Sequence, residues 1–518
     1  MYNLSAKHLI LFTVLFFYVL TISAQNKYSS LLWKIEGENL KKPSYLYGTM
    51  HVSSKIAFNL GDEFFDALSN VDALALETNP ELWLGFYRGE DFNAASDKAY
   101  NRGNSYTSYG FYNNFLTIPY YSRNSFQTLL RPEDEMLNQL LYKHNYGEEN
   151  YEETTYLDMF LYQSAQKEGK KIFSLEDFLE SFFLARRSNL PDEDDEEESY
   201  GNQRMAGEEL STAYLERNLD MIDSLITENF SNNYRKYLLD IRNENMVVAM
   251  DSLMPELSLF SGVGAAHLPG ENGMIELLRK RGYTVTAVEF DKSKKASKTF
   301  KKIKRDAVDV PTQKHTSEDG RISLTSIGEF YPENQSKRGD ISQTHFLPDF
   351  ANGAYYSYER LLKYPYGENY RKKGGLDYID SILYLITPGE IDRQKNVTVG
   401  NYNAIEVTSE LSRNNYIKQL IVDTPQEIIV FKASGNKSFI KSKNVKNYFK
   451  SIKVKEQSTA IDLAKLGITL DLPEHSVLAH KYKGNVLIVG TDASDTFYKY
   501  HSEYMFDYND LEEDAFEL

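Results

Sequence analysis

Tyr45-Leu46-Tyr47-Gly48-Thr49-Met50-His51 is an apolar run that stops at a glycine and is followed by a histidine. About 200 residues later the arrangement recurs, as Leu257-Ser258-Leu259-Phe260 and then Gly264-Ala265-Ala266-His267. Each reads as a buried strand that ends at a glycine turn and presents a histidine, because short continuous apolar runs suit strands covered on both faces. A third run, Val71-Asp72-Ala73-Leu74-Ala75-Leu76, ends in Glu77. Between the first and third runs, Leu60, Phe64, Ala67 and Leu68 fall at helical spacing, with Asp62 and Glu63 in what would be the first turn. Strand, helix, strand in that order predicts parallel strands joined by a crossover helix. The expected fold class is therefore α/β: a mixed, largely parallel sheet flanked by helices, followed by a C-terminal α+β domain with an antiparallel sheet.

Working outward, Leu31–Ile35 reads as a first strand and Lys171–Leu175 as a short strand ending at Glu176. Helical spacing starts near Pro132, continues through Asp158–Lys167 and returns over Gly207–Met254. The closing unit has the strand 257–260, a helix over Met274–Lys280, Gly282 at the helix C-cap, and a strand over Tyr283–Val288. Lysines then crowd the chain from Lys292 to Arg305, a linker or a solvated helix face. Beyond Arg321, Val397–Val407, Ile417–Val422 and Glu427–Lys432 read as strands, and Val445–Ile452 as a helix or strand. The expected organisation is a signal peptide over 1–24, a first domain over 25–290, a basic linker over 291–320, an α+β domain over 321–455, and an extension over 456–518 with an acidic end. Residues 95–125, rich in Tyr, Asn and Ser, read as an insertion, and the acids from Asp192 to Glu198 as a solvated run.

A chain of 518 residues with 41% hydrophobic and 14% aromatic content can build more than one core. Its net charge of −17 argues against nucleic acid as a partner, since the phosphates would be repelled. The absence of cysteine excludes disulfides, thiolate catalysis, cysteine-ligated metal and a cysteine-linked lipid. Lys7 and His8 precede the apolar stretch Leu9–Ile22, and Ser23-Ala24-Gln25 supplies small residues for cleavage. A periplasmic or secreted location is expected, with no integral membrane span once the signal is removed; an uncleaved anchor is the competing reading.

His51, Glu77 and His267 all stand at strand ends, where open α/β sheets hold ligands. Two imidazoles and a carboxylate suit a divalent metal with open coordination positions, which points to a metal-dependent hydrolase. Each group also has a plainer reading: a turn histidine bonded to nearby backbone, or a carboxylate that caps a helix or joins an ion pair.

Ser44–His51 and Asp72–Glu77 together resemble the amino-terminal signature of the TraB/GumN family, which is related to the TIKI metalloproteases. Gly262-Val263-Gly264-Ala265-Ala266-His267-Leu268-Pro269-Gly270, then Gly273, Leu277, Leu278, Gly282 and Tyr283, resembles its carboxy-terminal signature. Asp158, the Gly169–Glu176 stretch, Arg242-Asn243 and Met246 are similar to the family's middle. The resemblance covers about residues 29–290. It implies a mixed α/β fold whose halves meet at one site, a divalent ion of the Mn, Co or Zn type, and hydrolysis of a peptide or protein substrate. It also implies His51, Glu77 and His267 as metal ligands and Glu77, Glu176 and Arg242 as catalytic groups, with ligand and base not distinguished between the carboxylates. The C-terminal domain is expected to offer a surface to an envelope partner. The rival expectation is a non-enzymatic haem- or iron-binding protein, or an envelope interaction protein, on the same fold.

Overall fold

The computed structural model describes residues 27–82, 153–188, 203–332, 342–362 and 376–455 apart from a few short gaps, with Leu130, Leu141 and the strands within 477–503. These residues fall into two compact units, the first built from 27–82 and 153–304, the second from residue 305 onward with Leu130 and Leu141. The amino-terminal apolar stretch, the tyrosine-rich 95–125, the pattern beginning at Pro132, the acids 192–198 and the acidic end lie outside the described residues.

The first unit is a six-stranded sheet. Its strands are β1 (Leu32–Glu36), β2 (Ser44–Thr49), β3 (Ala73–Leu76), β4 (Lys171–Ser174), β5 (Leu259–Gly264) and β6 (Thr284–Val288). Their order is β4-β3-β5-β2-β1-β6. β2 and β3 both pair with β5 in parallel, and β3 pairs with β4 in parallel, whereas β1 is antiparallel to β2 and β6. The register sets Thr49 against Gly264, Leu76 against Gly262, and Leu76 against Ser174. Four parallel strands therefore end along one edge, the edge where such sheets hold ligands.

The helix between β2 and β3, α1 (Asp62–Asn70), buries Phe64, Phe65, Ala67 and Leu68, as the spacing predicts. Phe64 meets Tyr47 and Phe260 edge-on at 4.8 and 5.3 Å, locking the helix onto β2 and β5. Burying such a phenylalanine contributes about 2–3 kcal/mol. Helix α2 (Leu157–Lys167) is buried over Leu157 and Met159–Ala165, with Asp158 as the polar interruption.

β5 ends at Gly264 as expected, but the end of β2 and the bounds of β5 differ from the sequence reading. The strands do not stop at Gly48 and at Phe260; β2 runs through Gly48, and β5 occupies Leu259–Gly264 rather than 257–260. The reason is close packing. A Cβ at Gly262 would stand 2.6 Å from Leu161 of α2, and one at Gly48 would stand 3.1 Å from the Ala265 Cα. These glycines admit a neighbour rather than turn the chain. Gly282, by contrast, has φ +93 just after α7 (Met274–Lys280; the numbering includes the helices that follow), the left-handed position that ends helices.

The stretch 203–253 divides into α3 (Phe178–Ser188) before it, then α4 (Gln203–Leu215), α5 (Leu219–Asn229), a π-helix over Tyr234–Asp240, and α6 (Ile241–Leu253). Part of the basic 291–320 stretch is the solvated-helix alternative: α8 (Lys294–Arg305) follows β6, and residues Gln313–Thr316 form strand β7 beside β8 (Ile322–Ser326).

The second unit centres on a seven-stranded antiparallel sheet. Its strands are β9 (Tyr331–Pro332), β10 (Ser342–Asp349), β11 (Ala354–Leu362), β12 (Glu390–Val399), β13 (Tyr402–Ser412), β14 (Asn415–Asp423) and β15 (Glu427–Asn436), in the order β12-β13-β14-β15-β11-β10-β9. Residues 397–407 are a hairpin rather than one strand: the chain turns at Gly400-Asn401, with Gly400 at φ +59. Val445–Ile452 resolves as a helix over Lys443–Ser451, because the Ser442 hydroxyl accepts from the Val445 N–H and caps it. Val445, Tyr448 and Phe449 of this helix join Tyr356 and Phe431 in the core. Among the described residues no helix is long and apolar enough to cross a membrane.

Candidate functional site

The parallel edge of the first sheet gathers six polar side chains. His51 follows β2, Glu77 follows β3, Glu176 follows β4, and His267 closes the short 3-10 turn Ala265–His267 after β5. Arg242 and Asn243 come from the first turn of α6, directly after the π-helix. π-Segments are frequent at functional sites.

Glu77 is the hub. Its Oε1 accepts from the Gly264 N–H at 2.7 Å, and its Oε2 accepts from Arg242 Nη2 at 2.7 Å. The same Oε1 faces His51 Nε2 at 3.6 Å and His267 Nε2 at 3.8 Å. Glu176 turns both oxygens to Arg242, accepting from Nε at 2.8 Å and from Nη2 at 2.6 Å. One guanidinium thus grips two carboxylates, and the oxygen left over looks at two imidazoles.

Each ring is fixed from behind. His51 Nδ1 meets Asp158 Oδ2 at 3.0 Å, while the Thr49 hydroxyl donates to Asp158 Oδ1 at 2.7 Å. His267 Nδ1 meets Asn243 Oδ1 at 2.7 Å. The orientation of that amide follows from its other end: Asn243 Nδ2 donates to the Asn272 carbonyl at 2.9 Å, so its oxygen faces the ring. An amide oxygen only accepts, so His267 carries its proton on Nδ1. Orienting partners of this kind are what metal-ligating histidines ordinarily have.

Burial pushes His267 down to about 4, so at neutral pH the ring is uncharged and its Nε2 presents a lone pair. The Asp158 charge holds His51 well above the ordinary histidine value, with Glu77 adding to it. Burial alone would raise Glu77; the His51 hydrogen bond and the charges of His267, His51 and Arg242 outweigh it and hold the carboxyl well below the usual range. Burial raises Glu176 against the pull of Arg242. Arg242 itself is raised, since Glu176 and Glu77 overcome the cost of its burial.

A lone pair on His267 Nε2 therefore faces a carboxylate oxygen in a buried place, two acceptors with no proton between them. A cation between them relieves that repulsion. The separations to compare with an ion site are those between the donor atoms: Glu77 Oε1 stands 3.6 Å from His51 Nε2 and 3.8 Å from His267 Nε2. Ligands about 2.0–2.2 Å from a tetrahedral ion stand about 3.4 Å from one another. The donor set, two imidazoles and a carboxylate, is also a common one for a catalytic divalent ion. As they stand, no three His, Asp or Glu side chains among the described residues are grouped tightly enough to grip an ion. The asymmetry lies in exposure: the His267 side chain is 6% exposed and that of His51 is 52%, so the site opens on the His51 side.

The structure brings together all five residues that the sequence singles out. It adds Asp158, Asn243 and Thr49 in roles the sequence reading did not assign. A signal for Asp158 existed: it is the one acid in a helix whose neighbours Leu157 and Met159 are fully apolar.

The TraB/PrgY/gumN family model matches residues 31–287. No curated protein matches the chain in sequence. Among solved structures, one from Bacteroides thetaiotaomicron VPI-5482 aligns at 12% identity over 32% of this chain and 52% of its own length, with a TM-score of 0.20. The chain thus spans about half of that structure. Another, the Pseudomonas aeruginosa protein of unknown function PA94, aligns at 9% identity over 25% of this chain and 86% of its own, with a TM-score of 0.16.

Proposed function

Residues 31–287 form a domain of the TraB/PrgY/gumN family, and from that premise we propose that the protein is an exported, divalent-metal-dependent hydrolase acting on peptides. The observation that carries the metal is the His267 Nε2 lone pair aimed at Glu77 Oε1 across 3.8 Å, with His51 Nε2 facing the same oxygen at 3.6 Å. The peptidase half rests on the likeness of the two glycine–histidine signatures to the TIKI metalloproteases, and export on the apolar stretch after Lys7.

His51, His267 and Glu77 would hold the ion. A divalent cation bound there supplies Lewis acidity, polarising a carbonyl and lowering the pKa of water from 15.7 toward roughly 7. The chain's own residues prepare for it. Asp158 and Asn243 hold the rings with Nε2 turned inward. Arg242 and the Gly264 N–H anchor Glu77 from two sides. Glu176 spends both oxygens on Arg242, which makes it an anchor and favours Glu77 as the carboxylate that ligates or takes a proton. Entry from the His51 side brings a substrate carbonyl past the exposed ring first.

The test uses the full chain stripped of metal. Titration with Mn2+, Co2+ or Zn2+ in a calorimeter is expected to give one site, and the loaded protein is expected to cleave quenched fluorescent peptides. His267→Ala should lose both. Absence of metal binding together with absence of metal-stimulated cleavage would falsify the proposal.

A further inference from the structure

Helix α8 carries a second, separate feature. Its apolar side is spent inward: Ala296 is buried, and the Phe300 ring lies 5.7 Å from Phe58 and 5.0 Å from Phe160. Its start is fixed by Ser293, whose hydroxyl donates to Asp62 and accepts from the Ala296 N–H. The opposite side is a lysine stripe. Lys294, Lys298 and Lys301 recur at i, i+4 and i+7, with Lys302 beside them, and all four are exposed. Lys295 and Lys304 on the flanks are paired with Asp66 and Glu153. Among the described residues no carboxylate pairs with any of the four stripe lysines. Ser293, Lys294, Ser297, Lys298 and Lys301 line an open groove of about 400 Å³ along the helix.

Four uncompensated ammonium groups on one face of a chain with net charge −17 stand out electrostatically. At physiological salt the screening length is about 8 Å, so an approaching anion responds to the stripe more than to acids farther away than that, while nearby Asp66 and Glu153 are paired with Lys295 and Lys304. We propose that this face of α8 is a docking surface for an acidic polypeptide segment. The ammonium groups rise along the axis in steps of about 6 and 4.5 Å. A partner helix with carboxylates at i, i+4 and i+7 repeats those steps, and an extended strand offers carboxylates on one side about every 6.6 Å. A membrane fits less well. Surface helices bind bilayers by sinking an apolar face, and the apolar face of α8 is already covered by Phe58 and Phe160.

The experiment uses the full-length protein and a fluorescein-labelled poly-L-glutamate of about twenty residues, read by anisotropy at low and at 0.5 M salt. Binding is expected at low salt and lost at high salt. The triple variant Lys294→Gln, Lys298→Gln and Lys301→Gln should bind about tenfold more weakly, since exposed ion pairs contribute little singly and add over several. The matching triple Lys→Arg variant should bind as the unaltered protein does, and circular dichroism of both variants checks that the fold is kept. Equal binding by the Gln variant, or no binding of the peptide at all, would overturn the proposal. Sedimentation with phosphatidylglycerol vesicles in place of peptide binding would overturn it in favour of a membrane.

Discussion

Arg242 in the first unit and Arg360 in the second are both buried guanidiniums held between two carboxylates, yet only one of the two clusters has anything left to offer. In the second unit, Glu427 accepts from Arg321 Nη1 and from Arg360 Nε and Nη2, so arginine occupies both of its oxygens. Asp319 accepts from Arg360 Nη1 through Oδ2 and from the Ser317 hydroxyl through Oδ1. In the first unit, Glu176 is equally saturated, but Glu77 gives only Oε2 to Arg242 and turns Oε1 toward two ring nitrogens. The parts are the same. A network whose carboxylate oxygens face only their hydrogen-bond donors holds a sheet together, and a network in which one carboxylate oxygen also faces two ring nitrogens can hold a ligand.

The sharpest way to break this contrast is to remove the two central carboxylates in turn. Glu427→Ala leaves Arg321 and Arg360 buried without their shared partner and is expected to cost about 3–5 kcal/mol in urea unfolding. Glu77→Ala leaves Arg242 still paired with Glu176, so about 1.5–3 kcal/mol is expected, with loss of metal binding. Equal destabilisation by the two would mean that Glu77 is structural too.

A smaller effect tests the support behind the rings. Asn243→Ala frees His267 to take the other tautomer and is expected to weaken metal binding by about 10–100-fold with little change in unfolding. Calorimetric titration that finds unchanged affinity would show that the amide merely fills space.

The smallest expected effect concerns pH. Asp72, at the entry to β3, is bound by Lys42 and by the Ser258 N–H and hydroxyl, which lower its pKa to about 2. The unfolded value is near ~3.9. The folded pKa is the lower one, so the contribution to stability is complete above the unfolded pKa and is lost as pH falls through about 2. Asp72→Asn should therefore lower stability at pH 7 and flatten its decline between pH 4 and 2. An unchanged decline would assign acid lability to other groups.

Much of the first unit is legible in the chain. The apolar runs at 45–47 and 73–76, the helix spacing of Phe64, Ala67 and Leu68, and Gly282 after its helix all map onto what forms. The misread features share a cause. The second strand reads as 257–260 and not through Gly262 because the sequence shows the missing side chain but not Leu161, from a helix about a hundred residues earlier, lying where that side chain would go. Residues 397–407 read as one strand because apolar residues flank Gly400 on both sides, and the turn there shows only in the pairing of Val399 with Tyr402. Asp158 and Asn243 stood in view without roles, since nothing local says which ring a distant polar group will face.

By itself, the sequence determined which segments bury themselves, hence the parallel strands and the strand-end placement of His51, Glu77 and His267; burial pattern is a local property, carried in the order of residues. Only the tertiary structure decided that those three groups meet beside Gly264, which ring nitrogen bears the proton, and which carboxylate turns an oxygen toward both rings. Those depend on strand order and on partners from remote helices, and hydrogen-bond geometry of that kind exists only once the pieces are assembled.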